Sequence, residues 1–171
     1  MILVDANLLL YAANRDAPEH EAAREWLDGQ LNTITRVGMP WTSVVAFVRL
    51  ASNPLVVRQP VTVSAAWKQV QDWLSCPSVW TPAPTERHAR LLGDFCALPF
   101  MTSRLVPDAH VATLAVEHGL VLCSTDGDFA KFPGLTWENP LGAAGRVTNA
   151  ALARTSDADC SRAGGRTRRP S

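Results

Sequence analysis

At 171 residues, with 47% hydrophobic residues and six tryptophans, the chain is long enough to bury one core, and a single folded domain is expected. A formal net charge of zero gives no bulk attraction to nucleic acid or to an anionic membrane, and no apolar run reaches the length that spans a bilayer. Met1 leads directly into an apolar stretch, so no leader is expected. Cys76, Cys96, Cys123 and Cys160 lack paired spacing and are read as reduced thiols of a cytoplasmic protein rather than a disulfide framework or a zinc site.

In chain order, Met1-Ile2-Leu3-Val4 reads as a buried strand ending at Asp5. Two helices follow, over Ala6–Ala13 and Ala17–Leu31, with Pro18 near the start of the second, where proline is tolerated. Arg36–Met39 is expected as a second strand. Trp41–Ala51 places Val44, Val45, Phe47, Val48 and Leu50 at helical spacing and is broken by Asn53-Pro54. Ser64 is the expected cap of a helix over Ala65–Leu74, Ser78–Trp80 a strand, and Thr85 the cap of a helix reaching Leu98.

Pro107-Asp108 opens a helix to His118, which Gly119 stops. Leu120–Cys123 is a short apolar strand, Ser124–Asp128 its following turn, Phe129–Phe132 a brief helix and Leu135–Trp137 a last strand. This alternation predicts a three-layer α/β/α domain over residues 1–141, with a mostly parallel sheet. Residues 142–171 are rich in Ala, Gly, Ser, Thr and Arg and are expected to be a disordered basic tail. Six arginines beyond Leu141 against Asp157 and Asp159 give that tail a balance of +4, which leaves −4 on residues 1–141.

Three acidic stations stand out. Asp5 ends the first strand, Asp108 opens a helix, and Asp126 with Asp128 follows a buried strand. Each has a plain structural use, because Asp caps helices and suits their first turn. Together they point to one pocket at the carboxyl edge of a parallel sheet, where open α/β folds bind ligands. Crowded carboxylates repel, and a divalent cation relieves that; oxygen-only ligands suit Mg²⁺, with Mn²⁺ possible. The matching chemistry is metal-assisted phosphodiester hydrolysis. Arg15, Arg104 and Lys131 flank the acidic segments and are candidates for a basic rim. His110, two residues past Asp108, is expected to point away from it.

Three segments, MILVDANLLLYA, LVPDAHVATLAVEHG and LVLCSTDGDFAKFPGLTW, resemble in order and spacing the PIN-domain ribonucleases, specifically the VapC-type toxins of toxin–antitoxin modules. The resemblance covers about residues 1–141. It implies a Mg²⁺-dependent endoribonuclease with Asp5, Asp108 and Asp126 as catalytic and metal-site carboxylates and Asp128 as a fourth ligand. Asn7 and Thr125 fall where the family keeps small polar residues, and Arg49 is a candidate phosphate contact. A cognate antitoxin, an RNA substrate and a homodimer are the implied partners, with no membrane. The apolar helices near residues 17–31 and 41–51 are candidates for the antitoxin groove.

One position departs from the family. Its usual Glu in the helix after the second strand falls at Ala46 in Val44-Val45-Ala46-Phe47-Val48-Arg49-Leu50, and a methyl group binds no metal. The alternative reading is therefore a catalytically inactive PIN-like module that binds RNA or protein. A haloacid-dehalogenase-type phosphatase also begins with a strand and Asp, but Asn7 occupies its second acid. A receiver domain wants adjacent acids near the start.

Overall fold

In a computed structural model of the chain, which describes residues 1–142 and 147–148, strands and helices alternate as expected. The strands are β1 (Ile2–Val4), β2 (Val37–Gly38), β3 (Val79–Trp80), β4 (Val121–Cys123), β5 (Thr136–Glu138) and β6 (Val147–Thr148). The helices are α1 (Ala6–Ala13), α2 (His20–Leu31), α3 (Trp41–Ala51), α4 (Val63–Leu74), α5 (His88–Cys96) and α6 (Val106–His118). Short 3-10 turns cover Ser103–Leu105 and Gly127–Lys131.

The sheet runs β3-β2-β1-β4-β5-β6, with the first five strands parallel and β6 antiparallel on β5. The side-chain period of two divides the core between the sheet's two faces. Ile2, Val4 and Cys123 pack with α1, α2, α3 and α4, while Leu3 and Leu122 pack with Phe95, Ala112, Leu114 and Phe129 on the α5/α6 side. Apolar residues at every position of β1 follow from burial on both faces. Alternation thus gives the three-layer α/β/α fold.

Element ends moved where a hydrogen bond decided otherwise. The cap of α4 is Thr62, not Ser64: its hydroxyl accepts from Ala65 N at 3.1 Å, so the helix starts at Val63. The second helix begins at His20 rather than Ala17, because residues 14–20 turn first, Ala17 N on Asn14 O and His20 N on Ala17 O. Thr85 does not cap α5; its hydroxyl donates to Glu117 at 2.6 Å, and α5 spans only His88–Cys96. Gly119 ends α6 in the left-handed conformation at φ 63°, open to glycine at no steric cost. β6 falls within the stretch expected as tail, and the remainder of that tail lies outside the described residues.

From β1 the chain adds β2 and β3 on one side, then returns to place β4 on the other side of β1. The strand order therefore reverses between β1 and β4, and the crevice beyond their carboxyl ends is the ligand position of such sheets.

Candidate active site

Asp5 and Ser124 are the residues that leave β1 and β4 at this reversal. The register Val4↔Cys123 and a bond from Asp5 N to Cys123 O at 3.1 Å hold the two strand ends side by side. Asp5 caps α1 from an extended backbone, its Oδ1 accepting from Ala6 N at 2.7 Å. Its Oδ2 accepts from the Ser124 hydroxyl at 2.8 Å. Ser124 Oγ in turn accepts from Asn7 Nδ2 at 2.9 Å and from Asp126 N at 3.0 Å. The hydroxyl is fully buried and uses its one donor and both acceptor positions. Trp137 Nε1 donates to Ser124 O at 3.0 Å, and Ser124 N to Glu138 O at 3.1 Å, so β5 fixes the loop.

Asp5, Asn7 and Asp126 thus meet at one hydroxyl. The small polar side chain that joins them is Ser124, which the sequence reading passed over for its neighbour Thr125. Ser124 was findable as the first polar residue after an apolar strand. Asp126 is exposed and caps the following 3-10 turn, its Oδ1 accepting from Asp128 N at 2.9 Å. Asp108 lies half-buried in the first turn of α6.

The electrostatics show how closely these groups interact. Burial raises the Asp108 carboxyl to about 6, and Asp5, Asp126 and Asp128 add to the rise while Arg104 opposes it. Burial also raises Asp5, with Asp126 adding to the shift; bonds from Ser124 and Ala6 work against it. Asn7 Oδ1 is buried with no hydrogen-bond partner, an acceptor that a native interior seldom leaves open. Oxygen donors only, two carboxyls raised by burial and by acidic neighbours, and an orphaned amide oxygen are what a hard divalent cation would satisfy. Among the described residues no three His, Cys, Asp or Glu side chains form a ready-made ligand set. One or two carboxylates plus waters is the mode of holding that fits, and it is how Mg²⁺ is usually bound.

Asp128 has other partners. Its Oδ1 accepts from Lys131 Nζ at 2.6 Å and its Oδ2 from Arg104 Nη2 at 3.1 Å, and the Lys131 contact foremost keeps its carboxyl below the ordinary value. Arg49 is exposed in the last turn of α3, eight residues or about 12 Å along the helix from Trp41 at the sheet edge, and is not among the groups acting on Asp5 or Asp108. Ala46, half-buried in the middle of α3, offers no ligand atom. His110 is turned to α5, its Nδ1 2.9 Å from His88 Nε2. A cavity of about 280 Å³ between α1, α3 and α4, lined by Leu10, Phe47, Val57 and Ala66 with Arg15 and Asp16, includes none of Asp5, Asp108, Asp126 and Asp128. Among the described residues no helix is long and apolar enough to cross a membrane.

Comparison with known proteins identifies the family and the fold. The PIN domain family matches residues 2–135. Ribonuclease VapC37 of Mycobacterium tuberculosis is 44% identical over 140 residues, covering 82% of this chain and 97% of that protein. Ribonuclease VapC33 of the same species is 33% identical over 141 residues, covering 82% and 99%. In fold, the chain is similar to VapBC2 from Rickettsia felis bound to a promoter DNA fragment (TM-score 0.59, 15% identity, 81% of this chain and 98% of that one). It is equally similar to FitAcB from Neisseria gonorrhoeae (TM-score 0.59, 18% identity, 82% and 98%). A family match over most of the chain, a relative at 44% identity and carboxylates gathered at the sheet reversal lead to one assignment: the chain belongs to the PIN-domain family, among its VapC-type ribonuclease toxins.

Proposed function

We propose that this protein is a Mg²⁺-dependent endoribonuclease, with Mn²⁺ able to substitute, and the toxin of a toxin–antitoxin pair. The observation that carries the reading is the Ser124 hub, which joins Asp5, Asn7 and Asp126 beside Asp108 at the sheet reversal. The names of the relatives, ribonucleases of the VapC series, support RNA as the substrate. Neighbours of the same fold named as VapBC2 and FitAcB support an antitoxin partner. The reading also takes the chain as a homodimer in the cytoplasm, which light scattering and fractionation test.

Asp5, Asp108 and Asp126, with Asn7 Oδ1, are the groups that would hold the ion. A divalent ion held there would supply an activated water and a counter-charge for the phosphate. Ser124 fixes one Asp5 oxygen and the Asp126 backbone, so both segments are held beside the site. Asp108, at about 6, is mostly ionised at neutral pH and available as a ligand. Hydrolysis adds the water oxygen to phosphorus as the bond to one ribose oxygen breaks.

The test is incubation of antitoxin-free protein with total RNA and with tRNA, in Mg²⁺, in Mn²⁺ and in EDTA, beside the Asp5→Asn variant. Discrete cleavage that needs the metal and is lost in the variant is expected. No cleavage by folded protein would overturn the reading and favour the inactive module that Ala46 raises.

A further inference from the structure

The two segments that deliver Asp108 and Asp126 each also deliver a cation, and one carboxylate joins them. Arg104 lies in the 3-10 turn Ser103–Leu105, which runs into α6 four residues before Asp108. Lys131 ends the 3-10 turn Gly127–Lys131, which Asp126 caps. Between them Asp128 gives one oxygen to each, Oδ2 to Arg104 at 3.1 Å and Oδ1 to Lys131 at 2.6 Å. The cations stay open, with side chains 82% and 53% exposed. The guanidinium has five donors and the ammonium three, and the Asp128 contact uses one of each.

Two positive groups on one carboxylate leave a surplus of +1 beside the acidic pocket, on a domain that carries −4 over residues 1–141. The pair is near enough that Arg104 and Asp128 both act on the Asp108 carboxyl, in opposite directions. A polyanion approaching clustered carboxylates is repelled unless fixed cations meet its neighbouring phosphates. An isolated exposed ion pair contributes little to stability, so folding alone is a weak reason for this arrangement.

We propose that Arg104 and Lys131, held by Asp128, bind the RNA backbone phosphates that flank the cleaved bond, and that Asp128 positions these cations and is not a metal ligand. The proposal rests on the endoribonuclease reading above. It also departs from the expectation that Asp128, two residues after Asp126, completes the metal site.

The experiment is fluorescence anisotropy of a short labelled single-stranded RNA with the full chain in EDTA, over a range of salt. Arg104→Gln and Lys131→Gln should each weaken binding about fivefold and reduce the slope of log K against log[salt] by about 0.7, the value for one phosphate contact on a single strand. Both residues are exposed, so the variants should keep the wild-type melting temperature. Asp128→Asn should keep the wild-type Mg²⁺ affinity by calorimetry, and the Arg104→Gln penalty should shrink in its background. Unchanged salt slopes in both cation variants would overturn the proposal, as would lost Mg²⁺ affinity in Asp128→Asn. Wild-type protein that neither binds RNA in EDTA nor cleaves it in Mg²⁺ would remove the endoribonuclease reading and this inference together; cleavage in Mg²⁺ without any binding in EDTA would remove the inference alone. Wild-type binding and cleavage with unaffected slopes would remove the inference alone.

Discussion

The Ser124 hydroxyl donates to Asp5 Oδ2 at 2.8 Å across 119 positions of sequence, and nothing else in the site reaches as many partners. Ser124→Ala removes the donor to Asp5 and strips the acceptor from Asn7 Nδ2 and Asp126 N. Leaving such groups unpaired costs about 1–3 kcal/mol. The variant should melt several degrees lower and bind Mg²⁺ more weakly, because Asp5 loses a bond that favours its ionised form. Calorimetry on both properties checks this; a wild-type metal affinity would show that the hydroxyl serves only the fold.

Asp108→Asn should abolish cleavage and yet raise the melting temperature at pH 7.5. The Asp108 carboxyl is raised from 3.8 to about 6, so ionisation is disfavoured in the fold. The sign follows from linkage: stability from this group is fully present below about 4 and is lost as pH rises through about 6. The variant removes that loss, so the difference in melting temperature between the two proteins should grow from pH 4 to pH 7. Added Mg²⁺ should stabilise wild type and not the variant, and EDTA should reverse it. A variant less stable than wild type at pH 7.5 would contradict the view that burial and acidic neighbours disfavour an ionised Asp108 in the fold.

Ala46→Glu places a carboxylate where the family usually has one. If the α3 face carrying residue 46 looks into the pocket, the variant should tighten Mg²⁺ binding and increase cleavage at low metal concentration. It should also raise Asp108 further by adding a fourth acidic neighbour. Titration calorimetry against wild type decides: unchanged Mg²⁺ affinity means that Ala46 does not face the site.

Much of this was legible because period and punctuation are local. The apolar run Ile2–Val4, the stop at Gly119 and the breaker Asn53-Pro54 mark elements without any tertiary contact, and the strand–helix alternation gives the layered fold. Asp5, Asp108 and Asp126 were legible as strand-end and helix-start acids. Ser124 was not, because a buried serine is defined by partners at residues 5, 7 and 126, and its neighbour Thr125 looks the same in sequence. Thr85 misled for the same reason. A threonine before a helix reads as a cap, and only the fold brings Glu117, 32 positions away, to take its hydroxyl. The two charges on Asp128 likewise come from opposite sides, Lys131 at i+3 and Arg104 at i−24.

That Glu117 contact belongs to a chain on the α5/α6 seam with its own pH signature. Glu117 accepts from Thr85 Oγ1 at 2.6 Å and lies 2.8 Å from His88 Nδ1, and His88 Nε2 faces His110 Nδ1 at 2.9 Å. Between the two imidazoles there is room for one proton, so one of the two facing nitrogens must accept. Burial, then His88, lowers His110 from 6.5, against an opposing pull from Glu117. Burial would raise Glu117, but its bonds from Thr85 and His88 outweigh it and leave it below 4.5. Both lowered values have the same sign: stability is present above the ordinary pKa and is lost as pH falls through the folded one. Wild type should therefore lose its margin over His110→Gln as pH falls below 6.5, and its margin over Glu117→Gln only below 4.5. At pH 7.5 Glu117→Gln should already melt lower, by about 2–4 °C for each kcal/mol of hydrogen bonding removed. Melting curves of the three proteins from pH 4 to 8 test this, and a His110→Gln margin that stays flat from pH 7.5 to 5 would show that the ring pair carries no proton-linked stability.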